Sequence, residues 1–159
     1  MTTSTIDRSA WERTTQRQRA LRAVTDAAQD PAATAAAVRR ARADAFDSLD
    51  DLLLAAYAQW QRTVDAQLDL ALEREATVSE AVRSAWSAAG DALPGTAALL
   101  EQHRDHPAVV QAHARHARTT RRRTGASVPT VWRTPTGSTR PRRSCGLGLR
   151  RRVRTLIAG

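Results

Sequence analysis

Between Pro31 and about Glu75 the apolar positions recur with the period of an α-helix. At about 100° per residue, Val38, Ala45, Phe46, Leu49, Leu52, Leu53, Ala56, Tyr57 and Trp60 fall within roughly 80° of one direction. Arg40, Asp44, Asp47, Asp51, Arg62, Asp65, Asp69 and Glu73 fall on the other side. Asp30-Pro31 supplies an N-cap and a proline suited to the first helical position. No Gly or Pro interrupts Ala32 to Ala89. The pattern predicts one continuous helix of about 45 residues, on the order of 65 Å long. Past Trp60 a second stripe, Val64, Leu68 and Leu72, diverges from the first, so the helix needs more than one neighbour.

Shorter amphipathic segments flank it. Thr5 or Ser9 is placed to cap a first helix on which Ile6, Ala10, Leu21, Val24 and Ala28 share a face. Its polar middle, Glu12 to Arg19, implies that it packs by its two ends. Thr77-Val78-Ser79-Glu80 is a capping box that opens a further helix, with Val78, Ala81, Val82, Ala85, Trp86 and Ala89 on one stripe and Gly90 as its terminator. Asp91 to Gly95 reads as a turn, Thr96 as the cap of a short helix, and Pro107 as the first turn of a last one carrying Val109, Val110, His113 and Ala117. The predicted fold is all-α: an antiparallel bundle of five helices around one long central helix. Trp11, Trp60 and Trp86 are expected as core or interface anchors.

Charge divides the chain. Residues 1–106 hold 12 Arg against 16 acids, a net of −4, whereas residues 107–159 hold 13 Arg and no acid. The net charge of +9 is therefore the sum of two unlike parts. From residue 119 onward neither helical nor strand periodicity is visible, which places a helical domain at 1–118 and a disordered basic tail at 119–159. All 25 basic residues are Arg and there are 32 Ala, the signature of G+C-rich coding DNA. A shifted reading frame of such a gene also yields acid-free, Arg-rich and Pro-rich sequence like that of the tail.

The candidate chemistry is sparse. His103, His106, His113 and His116 form two H-x-x-H pairs, but Pro107 breaks their register and a zinc site needs about four convergent ligands. Asp44, Asp47, Asp50 and Asp51 lie mainly on the polar face, where solvated carboxylates are the expectation. Catalytic motifs, glycine-rich phosphate loops and cofactor signatures are missing, so no enzyme, cofactor or metal is expected. Cys145 stands alone, and the longest apolar run is too short to span a bilayer, which predicts a soluble, cytoplasmic protein with no membrane association.

Two functional expectations follow. The wide apolar stripe, with Phe46, Leu49, Leu53, Tyr57 and Trp60 as anchors, suggests a protein interaction or self-association module. The alternative is nonspecific nucleic-acid binding by the tail through Arg121, Arg122, Arg123, Arg142, Arg143, Arg150, Arg151 and Arg152, with Trp132 free to stack on bases.

Overall fold

The computed structural model describes residues 3–132. Six helices form: α1 Thr3–Ala27, α2 Pro31–Asp44, α3 Leu49–Leu72, α4 Val78–Ala92, α5 Pro94–Gln102 and α6 Pro107–Thr124. Among the described residues no strand occurs, and no helix is long and apolar enough to cross a membrane. The all-helical class predicted from periodicity is the observed one.

The long central helix is two helices. Asp30 caps α2 as expected, but α2 stops at Asp44 and α3 starts afresh after Ser48, whose hydroxyl accepts from Asp51 N at 3.1 Å. Asp51 Oδ2 in turn accepts from Asp47 N at 3.3 Å, so Ser48 and Asp51 satisfy amides that a continuous helix would have bonded internally. Four residues leave the helix, close to one full turn. The apolar face therefore resumes nearly in phase, and the break leaves no mark on the periodicity.

The polar middle of α1 holds this corner together. Arg17 makes a bidentate pair with Asp51 at 2.8 and 2.6 Å, donates to Ala45 O at 3.3 Å, and lies 4.4 Å over the ring of buried Phe46. Gln16 donates to Asp44 O at 2.6 Å. A stretch expected to make no packing contribution thus grips both sides of the α2/α3 break. Trp11, expected as an anchor, is 67% exposed.

The core is built on α3, from Leu52, Leu53, Ala56, Tyr57, Trp60, Val64 and Leu68, against Val82, Ala85, Trp86 and Ala89 of α4, Leu99 and Leu100 of α5, and Val109 of α6. Leu72 and Val78, assigned to stripes by period, are exposed because they flank the 73–77 turn. That turn contains the predicted capping box: Thr77 Oγ1 accepts from Glu80 N at 3.2 Å and donates to Glu80 Oε2 at 2.7 Å.

Direction is mixed. α1 and α2 are antiparallel, since Gln16 reaches Asp44 while Thr34 Oγ1 donates to Ala27 O. α3 and α6 run parallel: Asp50 faces His106, Tyr57 faces His113, and Asp69 pairs with Arg123. The uniformly antiparallel bundle is corrected accordingly, because α4 and α5 intervene between the two and bring the chain back to the start of α3.

Two end signals also move. Gly90 lies inside α4, and Pro94 rather than Thr96 opens α5. A Cβ on Gly95 would stand 2.1 Å from Thr25 O, so only glycine allows α5 to approach α1 this closely. Past residue 118, where the tail was expected, α6 continues to Thr124 and ends on Gly125 in the left-handed region, φ 78°. Residues 126–132 then return to the core, burying Ala126, Val128 and Trp132.

Candidate nucleic-acid interface

Helix α6 has two unlike faces. Its inner face carries Val109, Ala112, His116 and Thr120, all buried, with half-buried His113 beside them. On the opposite side Arg115, Arg118 and Arg122 fall within about 60° of one another, with Arg121 roughly 60° further round. All four are exposed, and their side chains make no ion pair or hydrogen bond among the described residues. Arg115 to Arg122 spans about 10 Å of helix axis.

The last-turn Arg residues complement the negative end of the helix dipole, a sufficient structural reason for Arg121, Arg122 and Arg123. Arg115 and Arg118 lie too far from the terminus for that. Arg123 is engaged by Asp69 of α3. The tail clusters Arg142-Arg143 and Arg150-Arg151-Arg152 lie outside the described residues. Sequence reading assigned Arg121, Arg122 and Arg123 to a disordered tail. All three are helical, and Arg122 falls with Arg115 and Arg118 on an i, i+3, i+7 pattern that was legible in the sequence.

The inner face explains the fixed position of the outer one. Tyr57 Oη lies 3.2 Å from Nδ1 of both His113 and His116. The hydroxyl has one proton, so it donates to one imidazole and accepts from the other, and the two neutral rings carry opposite tautomers. Burial lowers both imidazole pKa values, helped at His113 by the neighbouring His116 and opposed at His116 by Asp65. Burial raises that of the Tyr57 hydroxyl, with Asp65 adding to the shift. His116 Nε2 is buried without a hydrogen-bond partner, 3.8 Å from Asp65 Oδ1.

Trp132 seals this cluster. Its ring lies 5.2 Å from His113, 6.4 Å from Tyr57 and 6.4 Å from Trp86. Trp86 Nε1 donates to Val131 O at 2.7 Å, and Trp132 N donates to Glu101 Oε2 at 3.4 Å. Expected as a free stacking residue, Trp132 is instead a core residue at 3% exposure. Indole is large enough that an apolar cavity outcompetes water for it.

The residues proposed as an apolar docking stripe are also placed inward. Phe46, Leu53, Tyr57 and Trp60 are buried within the chain itself, and Leu49 is partly buried. The two histidine pairs serve different contacts: His113 and His116 meet Tyr57, while His106 caps α6 and faces Asp50, with His103 beside it. Among the described residues no group of three His, Cys, Asp or Glu side chains is placed to hold a metal ion. Comparison with family models, curated proteins and solved structures finds no match.

Proposed function

We propose that the protein binds nucleic acid through the outer face of α6, continued by the Arg-rich sequence of residues 133–159, with the remaining helices as the scaffold that orients α6. The observation that carries this reading is the set of four exposed, unpaired Arg residues on one rigid helix. Arg in this arrangement neutralises phosphates and releases counterions. The next 27 residues add eight Arg and no acid, so the positive surface has chain to extend along.

Trp132 was the one aromatic residue after residue 118, and it is buried. That stretch then offers no free aromatic ring to stack on unpaired bases, and the proposed binding is chiefly to the phosphate backbone. Single-stranded and duplex DNA of equal length should bind within a few-fold of each other, with little sequence preference. Anisotropy titrations of full-length protein against both, repeated with Arg115, Arg118, Arg121 and Arg122 all changed to Gln, test the reading. A variant that binds as tightly as the parent sinks it.

The protein-interaction reading loses the apolar stripe as its basis, since that stripe is covered within the monomer. What favours it is now Trp11, the most exposed of the large apolar side chains among the described residues, with smaller exposed ones such as Leu70 and Val110.

A further inference from the structure

Residues 126–132 form neither helix nor strand, and few bonds tie them to the body. Among the described residues these are Ala126 N to Thr124 Oγ1 at 3.2 Å, Trp86 Nε1 to Val131 O at 2.7 Å and Trp132 N to Glu101 Oε2 at 3.4 Å. Burial of Ala126, Val128 and Trp132 supplies the rest of the hold. Trp132 docks at a cost, since its Nε1 is buried with no protein group to accept from it. Release of the segment hydrates that N–H.

His113 lies against the Trp132 ring, half-buried, and shares the single Tyr57 hydroxyl proton with His116. Asp65 Oδ1, 3.8 Å from His116 Nε2, favours the tautomer that carries its proton on that nitrogen. His116 Nδ1 then accepts from Tyr57, His113 Nδ1 donates to it, and His113 Nε2 is left as the basic atom. The groups facing the two imidazoles are Tyr57 and Asp65 from α3, Trp86 from α4 and Trp132 from the segment, whose backbone N–H donates to Glu101 of α5. A charge on His116 has Asp65 as its counterion. A charge on His113 has none and sits among Tyr57, Trp86 and Trp132. Attraction between an imidazolium and an indole face opposes release, whereas hydration of the charge drives it.

We propose that residues 126–132 are an acid-released latch: a proton taken up by His113 frees Trp132 from the core while the helices stay folded. Burial first, and the neighbouring His116 second, hold the docked His113 below the ordinary 6.5. The released state therefore binds the proton more readily, so docking is intact above about 6.5 and weakens below it. One proton lowers the ratio of docked to released molecules by up to about tenfold per pH unit. The latch is independent of nucleic-acid binding by α6.

The test is exchange of the indole N–H protons with water in full-length, ¹⁵N-Trp-labelled protein, each rate taken relative to exposed Trp11. Protection of Trp132 should fall by up to about 30-fold between pH 6.5 and pH 5, and should lie well below that of Trp60, whose buried Nε1 is reached only by opening the core. His113→Asn keeps an amide donor for Tyr57 without a titrating group and should flatten the fall. By reciprocity, Trp132→Ala should raise the titration midpoint of His113 toward 6.5, a readout that does not depend on the Asn variant folding. Equal protection of Trp132 and Trp60 would overturn the proposal, since Trp132 would then open only with the whole fold. So would protection that does not change with pH, the same fall in a folded His113→Asn protein, or a His113 midpoint unmoved by Trp132→Ala.

Discussion

Replacing Trp132 with Ala tests whether residues 125–132 belong to the folded body. The side chain is 3% exposed and contacts Tyr57, His113 and Trp86. An indole buries on the order of 150–250 Å², which at about 25 cal/mol per Å² gives roughly 4–6 kcal/mol as an upper bound. The segment lies at the edge of the fold, so it can detach and recover chain entropy instead of leaving a cavity. That limits the loss to about 2–4 kcal/mol, at or just below the usual range for Trp→Ala. Detachment would also strip Trp86 Nε1 of its acceptor, Val131 O. Urea denaturation followed by circular dichroism, which does not depend on the deleted fluorophore, measures the change. Trp132→Phe should retain most of the stability. An Ala variant within about 0.5 kcal/mol of the parent, the range of an ordinary surface change, would refute the packing of this segment.

Stability should depend on pH at both ends of the range. His103, His113 and His116 have folded pKa values below the ordinary 6.5, so the unfolded chain binds more protons as pH falls. Their contribution is intact above about 6.5 and is lost below it. The raised pKa of Tyr57 works in the opposite sense, its contribution being intact below about 10 and lost above it. Chemical melts from pH 5 to 10.5 should show both declines, with Tyr57→Phe removing the alkaline one. Asp51→Ala removes both the Arg17 pair and a cap of the α2/α3 corner. Allowing for partial exposure it should cost about 1 kcal/mol, and a double-mutant cycle with Arg17→Ala should show coupling; strict additivity would contradict the corner's description. Leu53→Asp places an unpaired charge in the core and should cost several kcal/mol, so a variant with parental helicity and melting would place Leu53 outside it.

What the sequence conveyed and what it withheld have separate physical causes. Period and composition identify α2, α3, α4 and α6, since Leu52, Leu53, Ala56 and Trp60 must all face one way for α3 to be buried. Thr77 and Pro107 mark helix starts because capping is a local interaction. Ser48-Leu49-Asp50-Asp51 has a comparable local signal, but the in-phase stripe across it outweighs that signal unless caps are scored against periodicity. The grip of Arg17 on Asp51, 34 residues away, is a tertiary interaction with no local trace. Trp132 was read by its neighbours, which are Arg, Thr and Pro, whereas its surroundings are Tyr57, Trp86 and His113. Of the candidate interface, the helical spacing of Arg115, Arg118 and Arg122 was visible. Its exposed, unpaired state depends on α6 turning His113 and His116 inward toward Tyr57.

The salt dependence of DNA binding addresses the proposed role of α6 most directly. For duplex DNA the slope of log K against log salt is about −0.9 per phosphate neutralised. If all four outer-face Arg residues engage phosphates, full-length protein should bind with a slope about three to four units steeper than the variant with Arg115, Arg118, Arg121 and Arg122 changed to Gln. Both proteins retain residues 133–159 unchanged, so the difference reports α6 alone. Parallel slopes, with affinities that coincide at every salt concentration, would contradict the account and leave α6 without a part in binding.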